Sequence, residues 1–127
     1  MSKKKILVID DEEDFCYLMK LNLEGTGDFE VITAFSGQEG IDKSKQMAFD
    51  LVIMDLNMPD LSGEEALDTL KQMNPSLPVL LFSVYHDDIS TLSSAVKSKA
   101  DGIIAKPIDH SQLYATINNV LNKSKPR

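Results

Sequence analysis

The sequence predicts an α/β domain built as a (βα)5 doubly wound sheet, with five parallel strands covered by helices on both faces. Three observations predict it. Short apolar runs rich in β-branched residues occur five times, at residues 6–9, 31–33, 51–54, 79–82 and 103–105. They are nearly continuous rather than alternating, as strands buried on both faces must be. Stretches with helical spacing separate them, and such alternation closes through right-handed crossovers into a parallel sheet.

In chain order, the first run, Ile-Leu-Val-Ile, ends in Asp10-Asp11 and leads to a helix with Phe15, Leu18 and Met19 on one face. The second run leads to a weakly amphipathic helix over residues 37–47, opened by Ser36 with Glu39 as a capping box. The third run ends in Asp55. Ser62 with Glu65 then opens a helix that turns Ala66, Leu67, Leu70 and Met73 to one side, and Pro75 and Pro78 close it before the fourth strand. The fourth run ends in Ser83 and is followed by a helix bearing Ile89, Leu92 and Val96. The fifth run ends in Lys106-Pro107. Asp109 with Gln112, a looser capping pair, starts the last helix, whose inner face is Leu113, Ile117, Val120 and Leu121. Periodicity does not give the strand order.

The chain has 127 residues, the usual size of one domain, so residues 1–127 read as a single unit with a core at about 4–122 and a polar tail at 123–127. A formal net charge of −7 excludes nucleic-acid binding through bulk electrostatics and suits divalent cations and basic partner surfaces. One cysteine, Cys16, permits no internal disulfide, which fits a reducing cytoplasm. The basic start, Lys3-Lys4-Lys5, precedes an apolar run too short for an export signal or a membrane span, so a cytoplasmic location with no membrane association is expected.

The chemistry gathers at the ends of the apolar runs. In open parallel sheets, ligands sit at the carboxyl ends of the strands. Asp10, Asp11, Asp55, Ser83 and Lys106 all follow such ends, so the sheet would collect three carboxylates, a hydroxyl and an ammonium around one crevice. Two carboxylates about 4 Å apart repel by about 4 kcal/mol at an effective dielectric of 20. A hard cation with oxygen ligands relieves this, and Mg²⁺ (with Mn²⁺ as a substitute) suits a few carboxylates, several waters and a phosphate oxygen. Carboxylates are also nucleophiles toward phosphorus, and phosphoryl transfer needs mainly positioning and charge neutralisation. Each residue alone has a plain reading: Asp10 and Asp11 as helix caps, Asp55 in a polar turn, Ser83 in a loop, Lys106 in solvent. Their conjunction at four separate strand ends favours the metal-assisted chemistry.

Val8-Ile9-Asp10-Asp11-Glu12, then Val52 to Gly63 (Val-Ile-Met-Asp-Leu-Asn-Met-Pro-Asp-Leu-Ser-Gly), then Phe82-Ser83, then Ala105-Lys106-Pro107 resemble the receiver domain of two-component response regulators over nearly the whole chain. The resemblance implies a flavodoxin-like, CheY-like sheet of order 2-1-3-4-5. It implies that Asp55 is the phosphoacceptor, that Asp11 ligates Mg²⁺ directly and Asp10 through water, and that Asn57 offers its backbone carbonyl to the metal. Lys106 would pair with the acceptor carboxylate and then with the phosphoryl group, Ser83 would hydrogen-bond a phosphoryl oxygen, and Pro107 would follow a cis peptide bond. Pro59 and Gly63 would shape the loop into the third helix. The implied donors are a sensor histidine kinase or a histidine phosphotransfer protein. The implied output surface, toward a downstream protein target, is the fourth helix, fifth strand and fifth helix, and a phosphorylation-dependent homodimer stays open. The charge added by a phosphoryl group, about −1.5 to −2, would switch the loops after the fourth and fifth strands. A full switch takes about 5.5 kcal/mol of differential binding, the order of a few charge-assisted hydrogen bonds.

Two positions depart from the commonest pattern. Ile103 stands where the family often has an aromatic that rotates inward, so Ile103 or the nearby Tyr85 would have to serve as the moving group. Val84 stands where alanine or glycine is common. Among rival readings, a phosphohydrolase of the haloacid dehalogenase type needs Asp-x-Asp after the first strand, whereas here Asp55 follows the third and Asn57 replaces the second carboxylate. A flavin-binding carrier needs a hydroxyl-rich phosphate loop where Asp-Asp-Glu-Glu-Asp stands. A receiver-like module without phosphoryl acceptance would not need the intact set of Asp10, Asp11, Asp55, Ser83 and Lys106. Val84 and Tyr85 are expected to crowd the phosphoryl entrance and slow attack by water. Val84→Ala should therefore lose phosphate faster than wild type in a dephosphorylation time course, and equal rates would refute the expectation.

Overall fold

The computed structural model describes residues 3–56, 58–83, 99–105 and 109–124. Five strands, β1 (Lys4–Ile9), β2 (Phe29–Ala34), β3 (Leu51–Asp55), β4 (Val79–Ser83) and β5 (Gly102–Ala105), form one sheet in the order β2-β1-β3-β4-β5. Every pairing is parallel. The fold class and strand order are those expected. Helices α1 (Glu13–Glu24), α2 (Gly37–Gln46), α3 (Gly63–Met73) and α4 (His110–Ser124) connect or follow the strands. The segment expected to form a helix around Ile89, Leu92 and Val96 lies outside the described residues, so α4 is the helix expected last.

Buried on both faces, the strands divide the core in two. Ile6, Val8, Ile53, Leu80 and Phe82 meet Cys16, Met19 and Leu23 of α1 and Leu113, Ile117 and Val120 of α4. Leu7, Ile9, Val52, Met54 and Leu81, the alternate residues, meet Ile41 of α2 and Ala66, Leu67 and Leu70 of α3. Two-residue alternation thus sends successive side chains of each strand to opposite layers. One expectation about α1 is corrected. Leu18 is 56% exposed, and the buried line is Cys16, Met19 and Leu23, with Phe15 packed beside it. Three apolar residues at helical spacing fit either face, and packing on the sheet selects the face of Cys16, Met19 and Leu23. No described helix is long and apolar enough to cross a membrane.

Local hydrogen bonds begin the helices where the sequence placed their starts. Ser36 Oγ accepts from Glu39 N at 3.0 Å, and Ser62 Oγ accepts from Glu65 N at 3.1 Å. Asp109 Oδ1 accepts from Ser111 N at 2.9 Å and from Gln112 N at 3.2 Å. These caps satisfy N–H groups that have no partner within their own helix.

The β2 edge is closed by side chains from the helices around it. Glu24 Oε2 accepts from Val31 N at 3.0 Å, and Lys20 Nζ donates to Val31 O at 2.7 Å. Lys43 Nζ donates to Thr33 O at 2.5 Å and pairs with Glu39. An edge with these backbone groups occupied is a poorer template for another strand. A second polar staple lies near the start of β4, where Asp101 Oδ2 accepts from Val79 N and from Lys71 Nζ, each at 2.8 Å.

These bonds make stability depend on pH. The Val31 N–H, followed by Lys20, holds the Glu24 carboxyl below the usual glutamate range. The Phe35 N–H does the same for Glu39, with Lys43 adding to it. A depressed folded-state pKa means that the unfolded chain binds protons first as pH falls. The contribution is complete above the ordinary glutamate value and disappears as pH drops through the lower folded values. Both side chains are partly solvated, so the effect is modest. Thermal melts from neutral pH to about pH 3 should show a shallower decline for Glu24→Gln/Glu39→Gln than for wild type; identical slopes would contradict this account.

Candidate phosphoryl-transfer site

Parallel register decides which strand ends meet. Ile9 pairs with Met54 across β1 and β3, so Asp10 and Asp55 leave the sheet side by side. Asp10 N donates to Ala34 O at 3.0 Å, which extends the β1–β2 ladder by one rung. One carboxylate oxygen from each of Asp10, Asp11 and Asp55 lies within 4.8 Å of the others. Asp10 and Asp55 are buried (0% and 4% exposed) and Asp11 is exposed. The cluster therefore has two carboxylates set into the protein and one reaching into water.

The two buried acids are held by what precedes or follows them. Asp10 Oδ1 accepts from Glu12 N at 2.9 Å, an i to i+2 turn that carries the chain into α1. The helix-cap reading that the sequence allowed for Asp10 does not hold, because the N-cap of α1 is Glu12 and no side chain caps it. Behind it, the buried Cys16 thiol donates to Asp10 O at 3.4 Å, so Cys16 packs beneath the first loop. Asp55 is the last residue of β3 and pairs with Phe82, while Leu56 N donates to Phe82 O at 3.2 Å. The Phe82 ring meets Phe15 of α1 edge to face, with centroids 5.3 Å apart.

The remaining predicted residues fall as follows. Ser83 ends β4 one register step beyond Phe82 and pairs with Ala105, the last residue of β5. The backbones of β3, β4 and β5 thus end along the same edge. Lys106 and Pro107 come next in sequence and lie outside the described residues, as do Asn57, Val84 and Tyr85. Ile103 pairs with Leu81 and packs, half-buried, on the layer of α2 and α3. Pro59 is exposed. At Gly63 a Cβ would lie 2.8 Å from Leu56 Cα and from Leu56 O, and Gly63 N donates to Leu56 O at 3.0 Å. Only a glycine lets the start of α3 approach the chain just past Asp55 so closely.

One residue of this loop escaped the sequence reading. Asp60 accepts from Gly37 N at 3.1 Å and from Gln38 N at 2.9 Å, spanning the first turn of α2 from a different loop. The Gln38 N–H, followed by that of Gly37, keeps its carboxyl below the usual aspartate range. Capping patterns are local, and no spacing links Asp60 to residues more than twenty positions earlier, so the sequence carried no signal for it.

Donor chemistry favours one class of ion. Three carboxylates make an all-oxygen set, which suits a small hard divalent cation and lacks the thiolate and imidazole typical of zinc sites.

Comparison with known proteins gives a consistent result. The family model described as response regulator receiver domain matches residues 6–118. The transcriptional regulatory protein ZraR of Klebsiella oxytoca is 35% identical over 116 residues, 91% of this chain and 26% of that protein. The chain therefore spans about a quarter of that relative's length. A solved response regulator receiver domain protein from Clostridium thermocellum superposes with a TM-score of 0.84 at 36% identity, covering 94% of this chain and 95% of that one. The response regulator protein TrrA from Thermotoga maritima, solved in complex with Mg²⁺-BeF, superposes with a TM-score of 0.82 at 32% identity, covering 92% and 98%.

Gly63→Ala should cost about 1–3 kcal/mol, because the methyl meets backbone that cannot give way. Urea denaturation measures this, and an unchanged midpoint would contradict the close approach described.

Proposed function

The chain belongs to the response regulator receiver domain family of two-component signalling, and from that membership and the gathered carboxylates we infer that Asp55 accepts a phosphoryl group with the help of Mg²⁺. The observation that carries this reading is the meeting of Asp10, Asp11 and Asp55 within 4.8 Å at the ends of β1 and β3. The same carboxylates would hold the ion, Asp11 directly and Asp10 through water, with the Asn57 carbonyl beside them. When bound, Mg²⁺ supplies positive charge to the cluster and to the phosphoryl oxygens.

The chain's own groups do the rest. A carboxylate oxygen of Asp55 attacks phosphorus, the new O–P bond forms, and the bond to the donor breaks with its electron pair leaving on the donor. From a phosphohistidine, the leaving imidazole takes a proton from solvent. Lys106 and Ser83 then neutralise and hydrogen-bond the phosphoryl oxygens, and later attack by water releases phosphate. Held by its strand, the Asp55 carboxylate needs little reorganisation to react. Val84, Tyr85 and Ile103 serve as the groups that shift when Ser83 engages.

The phosphoryl donor is a sensor histidine kinase or a histidine phosphotransfer protein. Support comes from α1, which starts beside the acidic cluster and exposes Tyr17, Leu18 and Leu21 (62%, 56% and 53%). Such an apolar face suits a partner helix bringing a phosphohistidine toward Asp55. The output passes to a downstream protein through the face of the helix expected around Ile89, Leu92 and Val96, together with β5 and α4. Residues 1–127 act as one receiver domain in the cytoplasm, where Cys16 stays a thiol.

Incubation with acetyl phosphate should raise the intact mass by one phosphoryl group only when Mg²⁺ is present, and Asp55→Ala should abolish the gain. With a phosphohistidine donor, Leu18→Asp should slow transfer at least tenfold, a loss of about 1.4 kcal/mol, while labelling by acetyl phosphate is unchanged. Metal-independent labelling, or labelling of Asp55→Ala, overturns the reading; equal slowing of both donors by Leu18→Asp overturns the assignment of α1.

A further inference from the structure

The loop from Leu56 to Ser62 joins the acidic end of β3 to α3. Gly63 N donates to Leu56 O and closes its base. Met58 is buried in the core layer of α2 and α3, and Leu61 packs against that layer. Asp60 turns the other way and takes both of the first N–H groups of α2, one on each carboxylate oxygen. A carboxylate at a helix N-terminus is doubly favoured, by charge-assisted hydrogen bonds and by the helix dipole.

The consequence lies in what α2 touches next. At Gly37 a Cβ would lie 3.0 Å from Leu61 Cβ, so the loop and helix are already in contact there. At Gly40, one turn on, a Cβ would lie 2.3 Å from Ile9 Cδ1 and 2.7 Å from Ile9 Cγ1. Ile9 is fully buried and immediately precedes Asp10. A short path of packed atoms therefore runs from the loop after Asp55, through the first turn of α2, to the residue that sets Asp10.

We propose that Asp60 is a positioning residue for the phosphorylation site, pinning the β3–α3 loop to the α2 turn packed on Ile9 so that the oxygen donors of the two loops stay at metal-binding separation. This rests on the Mg²⁺ reading of the acidic cluster given above. Asp60 acts through other residues and touches neither ion nor phosphoryl group. Ser36 provides the internal comparison, since it caps the same helix through Glu39 N without touching the loop. Loss of Ser36 Oγ weakens α2 alone, whereas loss of the Asp60 carboxylate also frees the loop.

The test is a calorimetric titration of the 127-residue chain with Mg²⁺, alongside thermal melts, for wild type, Asp60→Ala, Asp60→Asn and Ser36→Ala. Removing groups that orient metal ligands typically weakens metal binding by about 10–100-fold. Asp60→Ala should raise the Mg²⁺ Kd by about tenfold, the lower end of that range, because it acts at one remove. Asp60→Asn, which keeps one acceptor oxygen, should fall between it and wild type. Ser36→Ala should melt earlier yet bind Mg²⁺ as wild type does. If Asp60→Ala fails to fold, Asp60→Asn decides, and a Kd no higher than that of Ser36→Ala overturns the proposal. Wild-type affinity in Asp60→Ala, or an equal loss in Ser36→Ala, overturns it too, leaving the metal site intact. Absence of Mg²⁺ binding by wild type overturns the reading of the site itself, and the two failures are thereby told apart.

Discussion

Like-charge repulsion among Asp10, Asp11 and Asp55 is the constraint around which the rest of the molecule is arranged. Their oxygens lie within 4.8 Å of one another, and two of the three side chains are buried. At an effective dielectric of 20, each close pair costs about 4 kcal/mol, a substantial part of a domain's net stability of about 5–15 kcal/mol. Water around the exposed Asp11 screens its share. An isolated chain would separate these groups, so the scaffold must hold them together. The same repulsion is what a small hard cation with oxygen ligands would relieve.

The scaffold meets this demand with rigidity placed directly beneath the charges. Asp10 lies just past the buried end of β1 and Asp55 ends the fully buried β3, two neighbouring strands locked in parallel register. Cys16 packs under the loop after β1, the Phe15–Phe82 contact ties α1 to the strand paired with Asp55, and Gly63 closes the loop after β3 against Leu56. Away from the site, polar staples do comparable work. Lys20, Glu24 and Lys43 occupy the outer backbone groups of β2, and Asp101 with Lys71 secures β4. Apolar layers supply most of the stabilisation, and these polar contacts settle which edges and loops stay in one arrangement.

Kinship with response regulator receivers fits this division of labour. A signalling domain needs a reactive end that is stiff enough to bind and react, and neighbouring strand ends whose state can change. Asp55 on β3 belongs to the stiff part, bound to β1 on one side and β4 on the other. Ser83 and Ala105, at the ends of β4 and β5, lie on the side away from β1, where the sheet has its second edge. Ile103 lies half-buried among the side chains that pack on α2 and α3.

Much of this was legible in the residues themselves. Continuous β-branched runs marked all five strands, because strands covered on both faces cannot expose a polar side. Ser36, Ser62 and Asp109 marked helix starts, because unpaired N–H groups need a nearby oxygen. The acidic, hydroxyl and amine residues at strand ends marked the chemistry, because parallel strands end together. What the sequence could not decide were contacts between parts distant along the chain. Helical spacing suited either Leu18 with Met19 or Cys16 with Met19 and Leu23 to the inner face of α1, and only packing against the sheet chose the second set. Strand order was implied by resemblance and never by periodicity, since hydrophobicity records burial and not neighbours. The Asp60 bond to α2 was invisible for the same reason: a hydrogen bond between loops depends on where the packed sheet and helices bring them, and tertiary structure alone sets that distance.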